Sequence, residues 1–179
     1  MAIQLPRVLK NLNLFLDGTG YAGRVDEVTL PKLTIKTEEH RAGGMDVPVA
    51  LDMGMEKLEI AMVLSDFEPE VFASFGLLDS EGKAITVRGA FQAQGSADVL
   101  AVAISMRGGW KELDAGKWKA GDKSTLTITG ALSYYKLEAG GEELVEIDAV
   151  NMVRRIAGAD QLAAVRDAIG LNSGFFSFP

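Results

Sequence analysis

Residues 57–65 read KLEIAMVLS, and Leu58, Ile60, Met62 and Leu64 recur at every second position. A period of two turns successive side chains to opposite faces of an extended chain, so this segment has one apolar face and is a half-buried antiparallel strand. The pattern recurs along the chain. Leu100, Val102, Ile104 and Met106 alternate with Ala101, Ala103 and Ser105, and Ile85, Val87 and Phe91 alternate with Thr86, Arg88 and Gln92 across a turn at Gly95-Ser96. In residues 124–137, Leu126, Ile128, Leu132 and Tyr134 are expected on one face, with Thr127, Thr129 and Ser133 on the other. Residues 11–17, 24–30 with its continuation 33–37, and 142–148 add shorter strands, for about seven in all.

This alternation leaves room for two short helices. Ser65-Asp66-Phe67-Glu68 matches a capping box ahead of Val71, Phe72, Phe75 and Leu78, with Pro69 in the first turn, and about three turns are expected. Asp160 is expected to cap a second helix carrying Leu162, Val165, Ala168 and Ile169 on one side, with Gly170 as its stop. The chain of 179 residues is long enough to bury one core without disulfides or metals. The expected fold is a single, mainly β domain over residues 1–179: two packed antiparallel sheets, as a sandwich or partly closed barrel, with two short flanking helices.

Chemistry is hard to find. There is no cysteine, which removes thiol nucleophiles and Cys-based zinc or redox sites. The one histidine, His40, adjoins Glu38 and Glu39, but successive residues on an extended chain point apart and do not converge on a metal. Gly18, Gly20 and Gly23 spell G-x-G-x-x-G; the β-branched RVDEVTLP that follows argues against the helix a dinucleotide fingerprint requires. No serine sits on a G-x-S-x-G elbow, and the adjacent acids Asp26-Glu27, Glu38-Glu39 and Glu142-Glu143 read as solvated turns. No enzyme activity, metal or cofactor is expected. The apolar runs fall short of the roughly 20 residues of a membrane helix, and the start MAIQLPRVLK lacks a signal-peptide core, so a soluble chain that stays where it is made is expected.

One stretch stands apart. Residues 106–122, MRGGWKELDAGKWKAGD, hold both tryptophans among lysines and glycines. Three readings are open for it: a stacking platform for nucleic acid, a protein contact, or the cover of its own sheet edge. A formal net charge of −7, and the balance of Arg107, Lys111, Lys117 and Lys119 against Glu112, Asp114 and Asp122, disfavour nucleic acid. A hairpin buried against another protein is the favoured reading.

Five blocks, taken in order, resemble a known family: TLPKLTIKTE (29–38), RAGGMDVPVALDMGMEKLE (41–59), the tryptophan stretch (106–122), YYKLEAGGEELVEID (134–148) and NMVRRIAGADQLAAVRDAIGL (151–171). They resemble the major tail tube proteins of phages with contractile tails, a branch that includes the tubes of R-type pyocins. NSGFFSFP (172–179) lies beyond the family's usual ending and reads as a C-terminal extension.

The resemblance implies a structural subunit of the inner tail tube. Hexameric rings would stack into a hollow tube that surrounds the tape-measure protein and is enclosed by the sheath protein, between baseplate and tail terminator proteins. Sheath contraction would drive the tube through the host envelope, with transient passage of DNA through the lumen and no stable membrane insertion. The chain would be assembled in the bacterial host cytoplasm and end in the virion. Its contacts are expected in an N-terminal arm (1–10), in an inter-ring loop (38–52) with Arg41, Gly43, Gly44, Met45, Asp46 and Asp52, and around Trp110, Lys111, Glu112, Asp114, Trp118 and Lys119. An acidic bore that repels phosphate is a further expectation from the net charge. Two alternatives stand beside this reading: the tube of a genome-free injection device, such as an R-type bacteriocin or a secretion-like system, and a ligand-binding β-sandwich with the apolar tail as a lid.

Overall fold

The computed structural model describes residues 5–76 and 82–171. In chain order its strands are β1 (Arg7–Leu16), β2 (Thr19–Gly20), β3 (Val25–Thr29), β4 (Ile35–His40), β5 (Val49–Met55) and β6 (Leu58–Leu64), followed by helix α1 (Pro69–Ala73). Then come β7 (Lys83–Ala93), β8 (Val99–Asp114), β9 (Leu126–Ala139), β10 (Glu142–Asp148), β11 (Val153–Ile156) and β12 (Ala159–Asp160), with helix α2 (Ala163–Ala168) last. Ten strands form one antiparallel sheet in the order β12-β11-β10-β9-β8-β7-β1-β2, with β6 joined to β9 and β3 to β6. The remaining two, β4 and β5, pair only with each other. The fold is therefore mainly β with two short helices, as expected, and the sheet does not close into a barrel.

Strand β9 is where the sheet forks. Its first half, from Leu126 to Leu132, pairs with β6 on one side, and its second half, from Tyr134 to Ala139, pairs with β10 on that same side. Throughout, β8 lies along the other side. The two branches enclose one core. Leu58, Ile60, Met62 and Leu64 of β6, with Leu126 and Ile128, join Leu14, Leu16, Ile85, Val87, Ile104, Met106, Tyr135 and Ile147 in a single buried cluster. Each such aliphatic side chain contributes about 1.5–3 kcal/mol when fully buried.

Residue order alone misjudges the face at one point. The pairing of β8 and β9 slips between Arg107 and Gly108, where Ser133 is left as an extra residue, and this reverses the alternation beyond it. Tyr135 is therefore the buried tyrosine of this pair, and Tyr134 lies on the opposite face. A second slip frees Lys111 between Trp110 and Glu112.

The capping box at Ser65 does not form. The Ser65 hydroxyl is bound to the Asp26 carboxylate, and Glu68 pairs with Arg24 at 2.5 Å, so neither side chain caps α1. The helix begins at Pro69 and ends at Ala73, far short of three turns, and Leu78 lies outside the described residues. Asp160, the last residue of β12, accepts the Leu162 amide at 3.0 Å but does not cap α2, because the helix starts at Ala163 behind Leu162 with no side-chain cap; Gly170 sits at a positive φ of 74° beyond the helix end. Gly23 is followed by strand β3, not by a helix.

Candidate assembly surfaces

Chain ends and loops follow from the strand order. β6 receives the chain from the β4–β5 hairpin at Leu58 and passes it towards α1 at Leu64, so hairpin and helix lie at opposite ends of one strand. The expected loop 38–52 is largely this hairpin: residues 38–40 belong to β4 and 49–52 to β5, with Glu38 opposite Leu51 and His40 opposite Val49. Its side chains are exposed almost throughout. Val49, Leu51 and Met53, at period two, form an apolar row in solvent, and Val47 at the tip is 65 % exposed. This row was available in the alternation VALDM, although residues 38–52 are expected from the sequence as an inter-ring loop.

The tip is a compact turn. Arg41 Nε donates to the Met45 carbonyl at 3.3 Å, the Met45 amide donates to the Ala42 carbonyl at 3.2 Å, and Gly44 has a φ of 87°. A Cβ added to Gly43 or Gly44 would meet open space, and Asp46 is exposed. Asp52 ties the hairpin to the body: it pairs with Arg154 of β11 at 2.7 Å and accepts the Gly54 amide at 2.8 Å. The Arg154 hydrogen bond and the Gly54 N–H lower the Asp52 pKa below the ordinary carboxylate value. Between the hairpin base and α2 lies a groove of roughly 640 Å³, lined by Met55, Leu58, Leu132, Met152, Leu162 and Val165 among others.

The tryptophan stretch divides. Trp110 is 2 % exposed, and its Nε1 donates to the Ser74 hydroxyl at 2.9 Å, so it belongs to the chain's own core. The expectation of a hairpin tip bearing both indoles on one contact surface is corrected: β8 runs through to Asp114, and of the two indoles only Trp118, in the loop beyond it, is exposed. Trp118 is 71 % exposed, donates to the Ala115 carbonyl at 3.2 Å and meets Phe67 edge-on at 5.6 Å; Phe67 stacks on Phe72 at 4.8 Å. Lys111 pairs with Glu59 at 2.9 Å, which raises the Lys111 pKa and lowers that of Glu59. Glu112 is exposed, Asp114 accepts the Gly116 amide at 2.8 Å, and Lys119 pairs with Asp122 at 2.9 Å.

Two sheet edges complete the picture. Residues 7–13 of β1, including 7–10 of the expected N-terminal arm, pair with β7, while β2 meets only Phe15 and Leu16 on the other side. At the far end, β12 meets only Arg155 and Ile156 of β11. Among the described residues, then, the path from β12 to β2 ends in two incompletely paired edges, while the branch of the sheet ends at β3, which pairs only with β6. Val8, on the first of them, is 55 % exposed.

Open edges and an uncovered apolar arm are features of a subunit built to be completed by others. Residues 6–170 match the family described as Phage tail tube protein FII, and the chain belongs to this family. It is 36 % identical over 173 residues to the tail tube protein of Escherichia phage P2, covering 93 % of this chain and 99 % of that one. It is 33 % identical over 156 residues to the major tail tube protein of Serratia phage KSP20, covering 86 % and 90 % respectively. Solved structures share the fold at low identity. A chain of the sheath-tube complex of the PVC extracellular contractile injection system, in its extended state, superimposes with a TM-score of 0.58 at 15 % identity, over 75 % of this chain and 92 % of that one. A chain of the anti-feeding prophage tube-terminating cap gives 0.60 at 15 % identity, over 78 % and 95 %. The chain is thus a structural, non-enzymatic tail tube subunit, as its five sequence blocks imply.

Proposed function

We propose that six copies join head to tail into a closed ring and that rings stack into the hollow inner tube of a contractile phage tail. The observation that carries this reading is the pair of incompletely paired edges at the two ends of the path from β12 to β2. Such edges aggregate unless they are covered, and a head-to-tail contact that closes by rotation covers both with copies of the same chain. Translation then stacks the rings. The β4–β5 hairpin supplies the contact between rings, with Arg41, Gly43, Gly44, Met45 and Asp46 at its tip and Asp52 at its anchor. The aromatic end of the domain, with exposed Phe67, Phe75 and Trp118, lies about 20 Å away along β6 and offers the stacked copy an apolar seat. Lys111, Glu112, Asp114 and Lys119 border this end.

In the assembled tail the tube surrounds the tape-measure protein and is enclosed by the sheath, with a baseplate below and a terminator above. Structural neighbours described as part of a sheath-tube complex and as a tube-terminating cap support the sheath and terminator partnerships. Sheath contraction drives the tube through the host envelope, and DNA follows through the bore. The subunit is made in the host cytoplasm and ends in the virion. Its likeness to an extracellular contractile injection system favours one second reading, a tube of the same architecture with no genome to pass.

Negative-stain microscopy of the purified chain, alone and with its sheath protein, tests the assembly. Six-fold rings or tubes are expected. Monomers at every concentration and salt would overturn it.

A further inference from the structure

The groove between the hairpin base and α2 is built from three parts of the chain. Met55 comes from the hairpin, Leu58 and Leu132 from the sheet, and Leu162 and Val165 from the start of α2. The apolar lining continues beyond it. Ile169 stands four residues past Val165, on the same helical side, and both are exposed. The charged residues along the groove already have partners of their own: Asp52 pairs with Arg154 at 2.7 Å, and Lys57 pairs with Glu59 at 2.9 Å. What the groove lacks is apolar cover.

Residues 172–179, NSGFFSFP, lie outside the described residues and beyond the stretch matched to the family. They carry no charged side chain, and Phe175, Phe176 and Phe178 fall within four positions. Where they begin is well defined. The Gly170 amide donates to the Asp167 carbonyl at 3.1 Å and the Leu171 amide to the Arg166 carbonyl at 2.9 Å, with Gly170 at a φ of 74°. This is a Schellman turn, which stops the helix and bends the chain away from its axis. The segment therefore starts about 9 Å of helix beyond Val165, a groove residue. Eight residues span up to about 26–29 Å when extended, so the whole groove is within reach. A segment tethered this close meets its own groove at an effective concentration of about millimolar, well above that of separate copies in dilute solution.

We infer that residues 172–179 seat in the groove of their own chain, with the phenylalanines against Met55, Leu58 and Leu132. Three exposed aromatic side chains in a row are otherwise an association hazard, and the groove removes them from water. Because the groove spans the hairpin base and α2, the seated segment braces the hairpin against the body of the subunit. The extension is then an internal strut.

The absence of native cysteine makes a direct test possible. Lys57→Cys at the groove and Ser177→Cys between Phe176 and Phe178 introduce one pair of thiols. In dilute, dissociated subunits a short bismaleimide should join them within one chain, giving a product of monomer size in which peptides from the two segments are linked. Asp98→Cys, roughly 33 Å along β8 from the residue opposite Leu132, should link to Ser177→Cys at least tenfold less. Adding Phe175→Ser, Phe176→Ser and Phe178→Ser to the first pair should bring its yield down to that of the control. A second measurement uses no thiol: amide exchange over residues 53–58 should be several-fold slower in the full chain than in a chain ended at Leu171, with β1 unchanged. Equal yields from the two cysteine pairs, or exchange at 53–58 indifferent to the truncation, would overturn the seating. Links found only between chains would overturn the assignment to the same chain and make a second copy the occupant. All of this is measured on subunits that have not assembled, so its outcome is separate from that of the ring.

Discussion

The indole Nε1 of Trp110 and the hydroxyl of Ser74 lie 2.9 Å apart, joining β8 to the residue that ends α1. The Ser74 hydroxyl also lies 2.9 Å from the Val71 carbonyl, so a single buried group ties strand and helix together. Ser74→Ala leaves the buried indole N–H without its partner and should cost about 1–3 kcal/mol. Trp110→Ala also opens a cavity and should cost about 3–5 kcal/mol. Urea unfolding of both variants checks the order. Equal stability of Trp110→Ala and wild type would contradict the burial of this residue in the monomer.

The two glycine sites Gly108 and Gly43 should behave oppositely. A Cβ at Gly108 would press into the Ala131 carbonyl oxygen of the neighbouring strand, where backbone cannot yield cheaply. Gly108→Ala should therefore cost about 3 kcal/mol or more and should be poorly folded by circular dichroism.

Gly43 at the hairpin tip meets open space and has no positive φ. Gly43→Trp should leave monomer stability within about 0.5 kcal/mol while shortening or abolishing tubes under the microscope. Normal tubes from this variant would refute the role of the hairpin tip between rings.

The alternation of residues 58–64 was legible because each apolar residue of β6 meets the core without interruption, in the buried and half-buried order the sequence predicts. β10 was legible to the residue for a related reason, lying between a Gly140-Gly141 turn and the turn closed by Asp148. Tyr135 was not legible, because the extra residue at Ser133 depends on how β8 pairs, which is a property of two distant segments. Trp110 misled for the same reason. Its neighbours Gly108, Gly109 and Lys111 look like a turn, whereas Gly108 permits close approach to β9 and Lys111 sits in a bulge. The hairpin was misread as a loop because both its faces are solvated, and strand pattern is recognised from burial.

Asp160 gives acid stability a local signature. Its hydrogen bond from Arg166 at 2.5 Å, reinforced by the Leu162 amide, lowers its pKa from 3.8 to about 2. A lowered carboxylate pKa contributes stability that is present above the unfolded value and lost as pH falls through the folded one. Asp160→Asn should therefore be less stable than wild type at neutral pH, with the difference shrinking below about pH 4 and gone near pH 2. Denaturant titrations of the two proteins across this range check it; a difference that grows towards low pH would reverse the assigned sign.

Edge pairing between copies is tested most directly by amide hydrogen exchange on residues 7–13, compared between dissociated subunits and assembled tubes. Backbone groups of β1 that face away from β7 have no strand beside them in the described chain, so they should exchange rapidly in the subunit. In the tube they should become as protected as the amides of β9 at the centre of the sheet. Rapid exchange at these positions in intact tubes would contradict the account, because the subunits would then be held together by something other than their sheets.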